Sequence, residues 1–143
     1  MKTPLILLIA CFTLTLTSCK KEGCTDLDAT NYSSSAKTND GSCSFEGNIV
    51  LWFGESTSNF LTSDGAQSLT YYVDGQVVGS EAANIFWTAE PDCGQNSSIT
   101  VTKNLGNAKN MSYTYSVVDQ TGHEYYSGVL NFTANTCTAL ELN

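Results

Sequence analysis

Six cysteines and one histidine carry most of the reactive chemistry in this 143-residue chain. Cys24, Cys43, Cys93 and Cys137 could hold zinc or form two disulfides. Zinc sites use closely spaced ligands such as Cys-x2-Cys, usually with histidine partners. No such pair occurs here, and His123 is the only histidine. An even set of four in an exported chain points instead to two disulfides. Three pairings are open. Cys24–Cys43 with Cys93–Cys137 is favoured, because the chain divides naturally between them. Each bridge would remove unfolded-state entropy worth roughly 3–4 kcal/mol. Catalytic constellations are harder to assemble. His123 lies in the turn sequence Gln120-Thr121-Gly122-His123-Glu124. A general base needs an orienting partner and a nucleophile, and Glu124, as the next residue on a strand, would point to the other face. Glu90 and Asp92 flank Pro91 and have the types of a glycosidase pair, yet a loop beside a disulfide is the commoner explanation. No phosphate-cradling glycine loop, Gly-x-Ser-x-Gly or His-Glu-x-x-His motif is present. The expectation is a protein that is not an enzyme.

The N-terminus supplies the export signal. Lys2 opens a thin positive region, and Leu5 to Leu16 form an apolar run too short to cross a bilayer as a stop-transfer helix. It ends in Leu16-Thr17-Ser18-Cys19, followed by Lys20 and Lys21. This resembles a bacterial lipobox. The resemblance implies cleavage before Cys19 and a diacylglycerol on its thiol, with residues 1–18 as a lipoprotein signal peptide and 19–22 as the tether. More than one acyl chain would make such an anchor stable where a single chain is not. Cys11 would leave with the leader. The implied location is the cell envelope, with the protein lipid-anchored to the outer membrane on its periplasmic or surface-exposed face.

Residues 23–43 are bounded by Cys24 and Cys43. Gly23, Cys24, Thr25, Asp26, Ala29, Asn31, Tyr32, Ala36, Asp40, Gly41, Ser42 and Cys43 match a short repeat, G-C-T-D-x-x-A-x-N-Y-x-x-x-A-x-x-x-D-G-S-C, that this segment resembles. That repeat is frequent in secreted and surface proteins of Gram-negative bacteria. The family often has proline where this chain has Leu27, and Asn-Pro where it has Ser33-Ser34. Asp26, Asn31, Asn39 and Asp40 are suited to bend the backbone through their own side chains, and Tyr32 and Ala36 to form a small apolar centre against the disulfide. A segment this small cannot fold on core burial alone. Asp26, Asp28 and Asp40 also suggest a calcium site, the one cofactor considered. The pattern is not an EF-hand: counting from Asp26, the glycine position holds Asn31 and the final acidic position holds Lys37.

Charge narrows the partners. Beyond residue 18 the chain carries five lysines and no arginine against 14 acidic residues, a formal −9. Without a basic stripe to track phosphates, nucleic-acid binding is excluded. The same deficit argues against electrostatic docking on anionic lipid, so the membrane link is the lipid on Cys19 itself.

The elements that must position these residues read as β structure. Ile49 to Phe53 is a nearly continuous apolar strand after a tight join at Ser44-Phe45-Glu46. Residues 54–65 read as a polar loop carrying Phe60-Leu61. Asp74-Gly75 between Leu69–Val73 and Gln76–Gly79 is a type I′ hairpin signal. Ile85-Phe86-Trp87 reads as a short strand, and strands around 99–102, 113–117, 126–132 and 140–142 follow, with a turn at Thr121-Gly122. Tyr72 to Gly79 resembles the V-x-V-D-G-x-x-x-G hairpin of small envelope sandwiches, and residues 128–142 resemble the last hairpin of uncharacterised lipoprotein domains. The expected fold is all-β: an Ig-like or PEGA-like antiparallel β-sandwich of about seven strands over residues 47–143, preceded by the stapled module. Trp52, Tyr72, Trp87 and Tyr125 are placed to point outward, and exposed aromatics suit sugar rings or protein partners; Trp52 and Trp87 are the named ligand-binding candidates. The expected function is a non-catalytic binding or structural module, with an envelope protein as its partner. The alternatives are a carbohydrate-binding accessory protein of a surface glycan system, a calcium-binding adhesion module, and a hydrolase, which would need two carboxylates from different strands in one cleft.

Overall fold

The computed structural model describes residues 20–143. Residues 1–18 and Cys19, with the leader and lipidation expectations attached to them, lie outside the described residues.

The chain begins with a small disulfide-closed unit. Strands β1 (Glu22–Gly23) and β2 (Thr38–Asn39) pair in parallel for two residues. Between and after them the backbone turns on side-chain oxygens, as the sequence suggested. Asp26 Oδ1 accepts from the Asp28 amide, Asn39 Oδ1 from the Gly41 amide and Asp40 Oδ1 from the Ser42 amide. Asn31 clips the middle of the unit to its C-terminal end: its amide nitrogen donates to the Ser42 carbonyl at 2.7 Å, and its Oδ1 accepts from the Ser44 amide at 2.9 Å. The Cys24–Cys43 disulfide closes the loop. The apolar centre differs from expectation. Tyr32 is 42% exposed, and the buried residues are Cys24 and Ala29, which belong to the same core cluster as Phe45 and the sandwich interior. The unit therefore shares its core with the domain that follows.

The remaining chain folds as a two-sheet sandwich with strands β3 (Phe45–Trp52), β4 (Ser68–Val73), β5 (Gln76–Ala82), β6 (Ile99–Gly106), β7 (Asn110–Asp119), β8 (Glu124–Thr133) and β9 (Cys137–Glu141). One sheet has the order β6-β3-β9 and the other β5-β4-β7-β8. The two-residue period of a strand sends alternate residues to the shared interior. Ile49 and Leu51, with Phe53 just beyond β3, meet Leu69, Tyr71 and Val73 of β4, Val117 of β7, and Leu130 and Phe132 of β8, all buried. The β4–β5 turn has positive φ at both central residues, Asp74 at 54° and Gly75 at 70°, the geometry of a type I′ turn. Cys93–Cys137 is the second disulfide.

Three local details differ from the sequence reading. The loop around Phe60-Leu61 is an α-helix, α1 (Glu55–Ser63), which buries Thr57, Ser58 and Leu61. It docks largely through hydroxyls: Ser58 Oγ donates to the Ala83 carbonyl at 2.8 Å and Thr57 Oγ1 to the Leu142 carbonyl at 3.1 Å. A helix held by hydroxyls carries little apolar periodicity. The segment at Ile85-Phe86-Trp87 is irregular, with Ile85 53% exposed. The last strand, β9, runs parallel to its neighbour β3, Asn48 facing Cys137 and Trp52 facing Glu141; the other pairings within the sandwich are antiparallel.

Candidate functional site

The two tryptophans proposed as a ligand platform are both only partly exposed. Trp52 does face away from the sandwich interior, as its parity with Leu51 and Phe53 demands. However, residues 84–98 cross that outer face as a strap. The Trp87 amide donates to the Phe53 carbonyl at 3.0 Å, the Gly94 amide donates to the Thr100 hydroxyl at 2.9 Å, and Cys93 is bonded to Cys137. The three attachments lie at β3, β6 and β9, so the strap spans the sheet. Beneath it Val50 is fully buried although it lies outside the main core cluster, and the Trp52 indole N–H is buried without a partner among the described residues. Trp52 and Trp87 are both half-buried. Glu90 and Asp92 lie on this strap, exposed.

The calcium candidates also find other roles. Asp26 and Asp28 do come together, but what they hold is the Lys109 ammonium, 2.8 Å from a carboxylate oxygen of each. Its hydrogen bond and charge hold the Asp26 carboxyl below the usual range, and the bonds to Asp26 and Asp28 push the Lys109 amine up. The same ammonium lies 5.5 Å from the Phe45 ring centroid. Asp40 is kept low by Ser42, within its own turn. Asp26, Asp28 and Asp40 thus do not converge, and no group of three or more His, Cys, Asp or Glu side chains placed to hold a metal occurs among the described residues. A lysine from the loop between β6 and β7 fills the place a cation would take, and it ties the N-terminal unit to the sandwich.

His123 is a turn residue. Asp119, buried, accepts from the Thr121 amide and hydroxyl and from the His123 amide at 2.7–2.9 Å. These bonds, led by the Thr121 hydroxyl, lower the Asp119 carboxyl. The His123 ring stands edge-on to Tyr125, with centroids 4.8 Å apart.

That contact belongs to an aromatic cluster between β8 and α1. In the β7–β8 pairing Val117 faces Tyr126 and Val118 faces Glu124, so Tyr125 is an extra residue without a partner. A bulge of this kind re-aims side chains. Here it turns two consecutive tyrosines toward α1. Tyr125 meets Phe60 edge-on at 6.3 Å and donates its hydroxyl to Asp64 Oδ2 at 2.8 Å. That bond pushes the Tyr125 phenol up to about 12. Thr57, whose hydroxyl donates to the Leu142 carbonyl, lines the same groove as Tyr126. Phe60, Tyr126, Ser56, Thr57 and Asn143 line a groove of about 440 Å³. Phe60 is 56% exposed. Of the four aromatics read as outward-facing, Tyr125 is the one that reaches this site. Phe60 was hidden because its helix was read as a loop, and Tyr126 because strict alternation assigns it to the interior.

Two other concavities carry polar groups. Tyr72, Thr114, Ser116, Glu124 and Ser127 border a shallow depression of about 340 Å³ on the outer face of the four-stranded sheet. A groove of about 610 Å³ opens between the edge strands β5 and β6, with Glu81 in its wall. The buried Tyr71 hydroxyl donates to the Glu81 carboxylate. Burial raises the Glu81 carboxyl, the Tyr71 bond opposing it. An inward-pointing charge on an edge strand also discourages edge-to-edge pairing.

No protein-family model, curated protein or solved structure matches this chain.

Proposed function

We propose that the chain is an exported lipoprotein of the bacterial cell envelope, anchored to the outer membrane through a lipid on Cys19 and acting as a non-catalytic binding or structural module. The observation that carries this reading is the rigid attachment of the N-terminal unit. Its disulfide closes the unit on itself, and its share of the common core and the Lys109 bridge tie it to the sandwich. The first strand, β1, begins three residues after Cys19. A fully extended tether of that length spans only about 10 Å. A lipid on Cys19 would therefore hold the whole domain close against the bilayer. No helix among the described residues is long and apolar enough to cross a membrane. The two disulfides suit an oxidising compartment.

The test is membrane fractionation of cells expressing the wild-type chain or Cys19→Ser, followed by protease treatment of intact and lysed cells. The wild type is expected in the membrane fraction and the variant in the soluble exported fraction; identical partition of the two sinks the anchor. Digestion on intact cells would place the sandwich outside, and protection until lysis would place it in the periplasm.

A carbohydrate-binding accessory role is the second reading. What favours it is the Phe60–Tyr125–Tyr126 cluster and its groove, not the tryptophans.

A further inference from the structure

We propose that the groove between α1 and the β8 bulge, walled by Phe60 and Tyr126 and flanked by Tyr125, binds an uncharged saccharide ring. This rests on reading the chain as a binding module, and it names the ligand class and the residues that take it.

Three observations converge on the groove. First, the rings are held in place before any ligand arrives. Tyr125 is fixed by Asp64 and stands edge-on to Phe60, and Tyr126 is packed against the core cluster. Side chains already ordered lose little entropy on binding. Second, the groove has the two-sided character of a pyranose. A sugar ring offers C–H groups on its face and hydroxyls around its rim. The groove offers aromatic walls in Phe60 and Tyr126, with the Ser56 hydroxyl and the Asn143 amide beside them. Its volume of about 440 Å³ falls within the ~300–1,000 Å³ of small-molecule sites. Third, charge selects among sugars. No lysine lines the groove, Asp64 stands beside it, and the chain beyond residue 18 carries a formal −9. A uronate would meet no cation there and an unfavourable field. A neutral ring carries neither penalty.

The experiment uses the full chain exported with its disulfides intact, purified in mild detergent, beside the Cys19→Ser form. Both are run in native gels containing laminarin, xylan, mannan, alginate or polygalacturonate. Retardation by at least one of the three neutral polymers, and by neither anionic one, is expected. Phe60→Ala should weaken that binding by about tenfold, the loss of one stacked ring, while Trp87→Phe leaves it unchanged. Phe60 is exposed, so its truncation leaves the core intact, and an unaltered far-UV spectrum and melting temperature verify this. Failure of every neutral polymer to retard the folded protein overturns the proposal. So does equal retardation by alginate, or a Phe60→Ala variant that binds as well as the wild type. The lipid reading is judged separately, by the partition of Cys19→Ser, and its failure would leave the glycan result standing.

Discussion

Replacing Cys93 and Cys137 together by alanine should loosen one defined part of the molecule. The bridge closes a loop of 44 residues in sequence separation. In the chain-entropy treatment, releasing a loop of that length costs about 4 kcal/mol at ~25 °C. With roughly 2 cal/mol/K of unfolding entropy per residue, a domain of this size should lose about 15 °C of melting temperature. The structure adds a spectroscopic consequence. The chain has two tryptophans. Trp87 lies on the strap over residues 84–98, and Trp52 lies on the sheet face beneath it. Freeing the strap at Cys93 should wet both indoles while the interior around Tyr71, Leu69 and Phe132 stays packed. The expected result is a red-shifted tryptophan emission under conditions where far-UV dichroism still reports the folded sheet, together with a lower denaturant midpoint and a slope no smaller than wild type, since the unfolded chain is less constrained. Emission identical to wild type, with a midpoint shift worth less than about 1 kcal/mol, would refute the reasoning, since 4 kcal/mol is what the loop length requires.

Other perturbations test separate parts of the structure. Lys109→Met should lower the melting temperature at neutral pH, less so at high salt, because the pairs are partly exposed. The lowered Asp26 carboxyl stabilises the fold above its unfolded value and loses that effect as pH falls through its folded value, and the raised Lys109 amine stabilises below its unfolded value and loses that effect as pH rises through its folded one. The wild type–variant difference should therefore be widest between about pH 4 and pH 10 and close toward both ends, as thermal melts across pH would show. Glu81 works in the other sense. Its carboxyl is raised, so its ionisation opposes folding increasingly as pH climbs past the unfolded value. Glu81→Gln, which keeps an acceptor for Tyr71, should melt no lower than wild type at pH 7, whereas Glu81→Leu strands the buried Tyr71 hydroxyl and should cost about 1–3 kcal/mol; equal losses in the two variants would contradict the assignment. Gly47→Ala would set a Cβ 2.7 Å from the Thr133 carbonyl oxygen, and denaturant titration should register roughly 1–3 kcal/mol of overpacking.

The features legible in the sequence were those with a short-range physical cause. Asp74-Gly75 specified its hairpin, because both residues tolerate positive φ. Alternation in β7 and β8 placed Val117, Leu130 and Phe132 inside. The division of the chain between Cys43 and Cys93 gave the disulfide pairing. What stayed hidden depends on partners distant in sequence. Helix α1 is stabilised through Ser58 to Ala83 and Thr57 to Leu142, so its hydrophobic pattern is faint. Strand β9 is parallel to β3, a choice set by where the chain re-enters the other sheet and not by its own residues. The aromatic groove was legible only in Tyr125. A single extra residue in the β7–β8 ladder breaks the two-residue period and brings Tyr126 to the same site. The acidic residues of the N-terminal unit suggested a cation, and the structure supplies one in Lys109, 81 residues after Asp28.

The most direct test of a lipid-anchored, disulfide-stapled module is the intact mass of the protein purified from membranes without reductant. The predicted species begins at Cys19, carries the added mass of a diacylglycerol, and takes up no alkylating reagent at Cys24, Cys43, Cys93 or Cys137. A chain that retains residues 1–18, or one that begins elsewhere with no lipid on Cys19, would contradict it.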